Sequence, residues 1–168
     1  GHQGHYATMA DWQLHLTTLF PEVRLKDYME FRSADSQAPG LMPALPALIK
    51  GIFYDSDCLG AAWDLVKGWS FDERMNVYFD AHRDGLAARF RRYTLGDLAK
   101  EMVDIAWEGL VRQHALNKRG EDETIHLTEL RNLVGQGLCP ADLVLSKWRG
   151  EFRQDLRALI EDSSYKLP

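Results

Sequence analysis

Apolar residues recur at helical spacing through most of this chain and switch to a two-residue alternation in one short stretch near its start. Thr8-Met9-Ala10-Asp11 has the Thr-x-x-Asp form of a capping box. Trp12, Leu14, Leu16, Leu19 and Phe20 continue a helix that Pro21 stops. Over residues 26–33 the period shortens: Met29 and Phe31 fall on one face of a strand, Tyr28, Glu30 and Arg32 on the other. The first pair asks for a core. The second set places a phenol, a carboxylate and a guanidinium in a row, roughly 7 Å apart per two-residue step.

Beyond the proline-rich stretch at residues 36–46, almost everything reads as helix. One helix covers residues 47–54. Asp55 and Ser56 cap the next, which carries Leu59, Ala62, Trp63 and Val66 up to Gly68. Ser70-Phe71-Asp72-Glu73 is a full capping box, and Gly85 suits the stop of that helix. Thr94 and Asp97 open the longest helix, with Leu98, Met102, Ile105, Ala106 and Gly109 as its inner stripe. Further helices are expected over residues 124–134, from Pro140 to Trp148, and over residues 152–161. The five tryptophans fall at helical positions and read as core. Residues 86–90 are a weak strand candidate. One strand cannot make a sheet, so either a second strand goes unread or the strand pairs with something outside this sequence. The expected fold is mostly α with one or two strands near the N-terminus. It forms a single domain over 1–168, with helix and strand in 8–35 and a helical portion in 41–162.

Composition narrows the partners. The 168 residues carry 20 Lys and Arg against 25 Asp and Glu, a formal charge of −5. That balance gives no footprint for nucleic acid. Arg89, Arg91 and Arg92 form a local basic run that reads as a solvated face or a salt-bridge cluster. Cys58 and Cys139 are too few for a disulfide scaffold or a zinc site and read as free buried thiols in a reducing cytosol. No apolar run approaches the roughly 20 residues that span a bilayer, and residues 1–7 do not resemble a signal peptide. A cytoplasmic location with no membrane partner is therefore expected. Gly1-His2 stands where an initiator methionine would, so the sequence is expected to begin inside a longer natural chain.

Two readings of Glu30 and Arg32 stand open on pattern alone. One is a solvent-facing strand surface with a weak ion pair. The other is a metal-and-anion surface, in which Glu30 holds a hard cation and Arg32 clamps a carboxylate or phosphate, with Asp35 able to join either role. His15 reads as a packed residue of an apolar helix. His2 and His5, with two residues between them, fall in a terminus expected to be flexible and read as a tag remnant or disorder rather than a metal site, and His82, His114 and His126 have no ligand-like neighbours. No glycine-rich phosphate loop, Gly-x-Ser-x-Gly or Cys-x-x-Cys is present.

The run His15-Leu16-Thr17-Thr18-Leu19-Phe20-Pro21-Glu22-Val23-Arg24-Leu25-Lys26, continued by Glu30-Phe31-Arg32-Ser33-Ala34-Asp35, resembles the signature of the plant- and proteobacterial-type glutamate–cysteine ligases. That family shows Glu-Met-Arg-Gly-Ala-Asp at the second segment. Leu45-Pro46-Ala47, Gly51, Tyr54-Asp55, Gly109-Leu110, Asp122-Glu123 and Pro140-Ala141 extend the likeness more diffusely to about Glu151. Actinobacterial ligases of ergothioneine biosynthesis carry a similar pattern. Where the family continues with Gly-Gly-Pro-Trp, this chain has Ser36-Gln37-Ala38-Pro39, without the tryptophan.

The resemblance implies the C-terminal part of an enzyme with a glutamine-synthetase-like antiparallel sheet. That enzyme uses ATP and Mg²⁺ to join the γ-carboxylate of glutamate to the amine of cysteine through an acyl phosphate. It implies Glu30 as a metal ligand, Arg32 as a catalytic and substrate clamp, Arg24 and Asp35 as further substrate-binding residues, and His15, Thr17 and Thr18 as scaffold. The rest of the sheet would come from the same or another chain, leaving this segment incomplete as an active site. The rival class is a non-catalytic helical interaction module.

Overall fold

A computed structural model describes Gly4 and residues 6–165; the expectation for His2 and His5 lies outside the described residues. The chain separates into two compact units, Gly1–Ser36 and Gln37–Pro168.

The first unit holds helix α1 (Met9–Thr17) and the strands β1 (Val23–Leu25) and β2 (Met29–Phe31). Thr8 starts the helix as the motif requires: its hydroxyl accepts from the Asp11 N–H at 3.2 Å, and its own N–H donates to the Asp11 carboxylate at 2.7 Å. The hydroxyls of Thr17 and Thr18 donate to the carbonyls of Leu14 and His15, both at 2.7 Å, and close the last turn. His15 is exposed against the Trp12 ring at 5.7 Å, not packed in a core. The strand expected at residues 26–33 is shorter, because Lys26, Asp27 and Tyr28 form the loop of an antiparallel hairpin. Its partner is the unread strand β1. Met29 is 48% exposed, so the alternation marks a strand here without marking a buried face.

The second unit holds α2 (Ala44–Phe53), α3 (Ser56–Val66), α4 (Phe71–Asp84), the two-residue strands β3 (Arg89–Phe90) and β4 (Tyr93–Thr94), α5 (Leu95–Gln113), α6 (Thr128–Gly135), α7 (Pro140–Arg149) and α8 (Leu156–Ser163). Mostly helix with a few short strands is therefore what the chain forms. Asp55 caps α3, accepting from the Asp57 and Cys58 N–H groups. Ser70 and Thr94 cap α4 and α5 with reciprocal bonds to Glu73 and Asp97. The helix expected over 124–134 is broken at Leu127, which is fully buried between a 3₁₀ turn (Glu123–His126) and α6.

Ala44, Ala47, Ile52, Ala62, Ala106, Leu110 and Leu127 make the core. Small residues dominate because α2 and α5 meet backbone to backbone. A Cβ on Gly51 would lie 2.1 Å from the Ala106 carbonyl oxygen, and one on Gly109 would lie 1.8 Å from the Gly51 carbonyl oxygen. The buried face of α5 is consequently Val103, Ala106, Gly109 and Leu110, rotated from the expected stripe so that Leu98, Met102 and Ile105 are only half-buried. No tryptophan among the described residues is buried; Trp12 and Trp63 are more than half exposed. An interface this close has no room for an indole.

A second fixing point joins distant segments. Arg91 takes φ +53° in the two-residue turn between β3 and β4. Its guanidinium grips the Glu73 carboxylate at 2.8 and 2.9 Å and donates to the Gly68 carbonyl at 2.8 Å. A bidentate, charge-assisted pair of this kind can hold a conformation that costs an ordinary residue about 1–2 kcal/mol. The salt-bridge reading of the basic run is thus met at Arg91. The Arg91 guanidinium and the Ser70 N–H bring the Glu73 carboxyl from its ordinary 4.5 down to about 2.

Two outcomes follow for stability. Gly109→Ala should destabilise the second unit by about 3 kcal/mol or more, since the clash is with backbone that cannot rotate away. Gly60→Ala, whose added Cβ meets nothing within 4 Å, should be neutral or stabilising by up to about 1 kcal/mol; urea unfolding of both variants checks the contrast. A depressed carboxylate pKa means that stability is fully present above about 4.5 and is lost as pH falls towards about 2. Urea midpoints measured across that window should fall with acid in the wild type and fall less steeply in Arg91→Ala.

Candidate functional site

The hairpin brings three of the nominated side chains together. β1 and β2 pair antiparallel with Val23 opposite Phe31, Arg24 opposite Glu30 and Leu25 opposite Met29. The ladder continues at both ends, the Lys26 N–H donating to the Tyr28 carbonyl and the Arg32 N–H to the Glu22 carbonyl, each at 2.8 Å. Cross-strand partners share a face, and so do residues two apart on one strand. Arg24, Glu30 and Arg32 therefore project together.

Their contacts are specific. Arg24 donates from Nε, and places Nη2, onto one Glu30 oxygen, both at 2.8 Å. Arg32 donates from Nη1 to the other Glu30 oxygen at 2.8 Å. Arg24 Nη1 also reaches the Thr17 carbonyl at 3.4 Å, tying the trio to the end of α1. The Arg32 guanidinium lies over the Phe20 ring, 4.8 Å from its centroid, in cation–π geometry. The hydrogen bond from Arg24 is the largest influence lowering the Glu30 pKa, with the charges of Arg24, Arg32 and Lys26 acting the same way against desolvation.

Burial in this unit is inverted. Among its described residues, only Arg24, Glu30, Phe31 and Arg32 are half-buried, and within the charged trio Arg24 is the best covered, at 17%. Leu25, Tyr28 and Phe20 are 80%, 60% and 70% exposed. Chemically the trio is one carboxylate shared by two guanidiniums, with a net charge of +1. Two planar forks of fixed orientation suit the oxygens of a carboxylate or phosphate.

Asp35 is exposed, and the hydrogen bonds of Arg24, Glu30 and Arg32 do not include it. Thr17 enters through its carbonyl rather than its hydroxyl. The contributions of Phe20 and of β1 were not read from the sequence; three residues between Glu22 and Lys26 are too short to register a period. No group of three or more His, Cys, Asp or Glu among the described residues is placed to hold a metal ion. With both its oxygens facing guanidiniums, Glu30 in this chain does not fit a divalent cation.

The second unit has a separate groove of about 690 Å³. Asp64, Trp69, Phe90, Tyr93, Asp97 and Glu101 are among the residues lining it, and none was nominated for the site. Three of its carboxylates serve the fold: Asp64 pairs with Lys67 at 2.6 Å, Asp104 with Arg131 at 2.9 Å, and Asp97 caps α5. Cys58 is buried, and burial with the neighbouring Asp55 pushes its thiol up to about 11, which leaves it protonated and inert near neutral pH. Cys139 is half-buried rather than buried.

Comparison with known proteins adds the family. Residues 1–162 match the model of glutamate–cysteine ligase family 2. Over 162 residues, 96% of this chain, the sequence is 38% identical to the chloroplastic glutamate–cysteine ligase of Solanum lycopersicum, 37% to that of Nicotiana tabacum and 36% to that of Arabidopsis thaliana. The chain spans about 30% of the length of each of these relatives. They are named chloroplastic, which overturns the expected cytoplasmic location. A compartment is written in targeting segments that receptors read, and the composition of a folded segment carries no trace of it. The signature read around Glu30 and Arg32 and the match along nearly the whole sequence agree: this chain belongs to glutamate–cysteine ligase family 2.

Proposed function

We propose that this chain is a segment of an ATP-dependent ligase that joins the γ-carboxylate of glutamate to the amine of cysteine, the first step of glutathione biosynthesis. The observation that carries the reading is the trio of Arg24, Glu30 and Arg32. It lies within the family signature and forms a cationic, partly covered surface made for anions. In such a reaction a γ-carboxylate oxygen attacks the terminal phosphorus of ATP, and ADP leaves. The cysteine nitrogen then attacks the acyl carbon of the resulting acyl phosphate, and inorganic phosphate departs as the amide forms. Every species handled is anionic, so positioning and charge neutralisation dominate over covalent work by the protein.

Arg32 is the substrate clamp in this reading. One of its N–H groups is committed to Glu30, and the rest of its fork is open to a carboxylate or phosphoryl oxygen. Arg24 supplies a second positive charge, with its Nε and Nη2 turned to Glu30. Asp35 stands beyond β2 as a residue able to meet the amino group of a substrate. Mg²⁺, which neutralises phosphate charge in phosphoryl transfer, would be held by carboxylates of the remaining part of the enzyme.

That remaining part also supplies the missing walls. A two-stranded hairpin is marginal by itself, and this one exposes most of its apolar side chains. The relatives carry more than twice as much sequence again as the segment matched here. The chain alone is therefore an incomplete site, and its partner is the sheet of the same enzyme, contributed in the same or another chain.

In the complete enzyme, Arg32→Lys should lower kcat/KM by about tenfold or more, since an ammonium cannot reproduce a planar fork; near-normal turnover and substrate affinity would remove the clamp role. Calorimetric titration of the 168-residue chain with ATP and with glutamate should give no saturable binding. A saturable isotherm for both would show that the segment holds a complete site.

A further inference from the structure

We infer that Glu30 is a positioning residue whose carboxylate orients the guanidiniums of Arg24 and Arg32 as a paired anion clamp, and that it does not ligate a cation. The inference deepens the ligase reading and rests on it only for the identity of the anion.

Three observations carry it. Both Glu30 oxygens are occupied from the side of the arginines: one meets Nε and Nη2 of Arg24, the other Nη1 of Arg32, all at 2.8 Å. A Mg²⁺ bound to either oxygen would stand about 2.1 Å from it. There it would lie beside two guanidiniums, and no group of three or more His, Cys, Asp or Glu among the described residues is placed to hold it. Next, each arginine has one weaker contact outside the trio: Arg24 reaches the Thr17 carbonyl at 3.4 Å and Arg32 lies over the Phe20 ring. These set the side from which each guanidinium approaches and leave its orientation to the Glu30 carboxylate. Last, the carboxylate is directly opposite Arg24 in the hairpin register and two residues from Arg32 on the same strand. Glu30 is thus the member of the trio that touches both of the others. Its lowered pKa keeps it ionised near neutral pH, so the orienting charge persists.

The arrangement explains why a carboxylate belongs in a site for anions. Two unbridged guanidiniums would repel each other and adopt many rotamers. A shared carboxylate fixes both while leaving one net positive charge, and it commits only one terminal nitrogen of Arg32. Removing it should loosen the clamp without touching any metal.

The test has two arms. In the 168-residue chain with ¹⁵N-labelled arginine, the Nε–H resonances of Arg24 and Arg32 are followed during titration with Mg²⁺, then Mn²⁺, then inorganic phosphate. Millimolar Mg²⁺ should leave both unmoved, stoichiometric Mn²⁺ should not selectively broaden them, and phosphate should shift both progressively without reaching saturation, in keeping with a clamp whose surrounding walls lie elsewhere in the enzyme. Selective broadening by Mn²⁺ would place a cation on Glu30 and overturn the inference. So would a phosphate response at neither arginine. In the complete enzyme, Glu30→Gln should raise the KM of an anionic substrate by about tenfold or more, with the Mg²⁺ concentration for half-maximal activity unchanged. A shift of that Mg²⁺ midpoint, with substrate KM unaffected, would make Glu30 a metal ligand. If the wild-type enzyme shows no ligase activity, the ligase reading fails, and the labelled-arginine arm still decides the clamp.

Discussion

The second unit depends on one contact in which no side chain takes part: the backbone of α2 at Gly51 against the backbone of α5 at Ala106 and Gly109. Helices usually keep apart by the width of their side chains. Here the separation is set by carbonyl oxygens standing where Cβ atoms would be. Everything around the crossing is scaled to it. Ala44 and Ala47 line the same face of α2, and Leu110 is the large residue sealed completely beside the contact on α5. Polar bonds bracket the crossing, with Gln113 Nε2 donating to the Lys50 carbonyl and the Lys50 ammonium meeting Glu123. Tryptophans are left to the periphery, where Trp107 lies under the Arg131 guanidinium and Trp69 against Phe90.

What the sequence makes legible divides along the range of the interactions. Thr8, Asp55, Ser70 and Thr94 are readable as caps because each acts within three residues of itself. Gly51 and Gly109 are recognisable as family positions, yet their mutual contact joins points 58 residues apart, and no local pattern announces it. The α5 stripe holds at Ala106 and Gly109 and is rotated at Leu98, Met102 and Ile105 for the same reason: apolar spacing fixes a helix, while the partner's glycine fixes which side is sealed. In the first unit, alternation placed Glu30 and Arg32 on one face. It could not reveal β1, because Lys26-Asp27-Tyr28 carries neither glycine nor asparagine to signal a hairpin turn. Arg24 was therefore readable as a site residue only through the family signature, and its place opposite Glu30 emerged from the fold.

The two units illustrate different solutions to burial. Gln37–Pro168 encloses a small-residue core of the ordinary kind. Gly1–Ser36 covers its charged trio better than its leucines and every aromatic of its described residues except Phe31. An ion pair held at 17–29% side-chain exposure is shielded from solvent more than a typical surface pair, so its electrostatics are less screened. The charged residues give this unit its definition, and most of its apolar side chains are exposed.

The pairing of Arg24 with Glu30 has a consequence for how such an enzyme can vary. A strand alternates its faces with every residue, so adding or deleting one position in the Lys26-Asp27-Tyr28 loop would turn Arg24 away from Glu30 while leaving every charged residue in place. The count of residues in that loop therefore governs the geometry of the trio as much as the guanidiniums themselves do. The loop side chains enter none of the trio's hydrogen bonds, and of their identities only the Lys26 charge reaches Glu30, whereas their number sets the register.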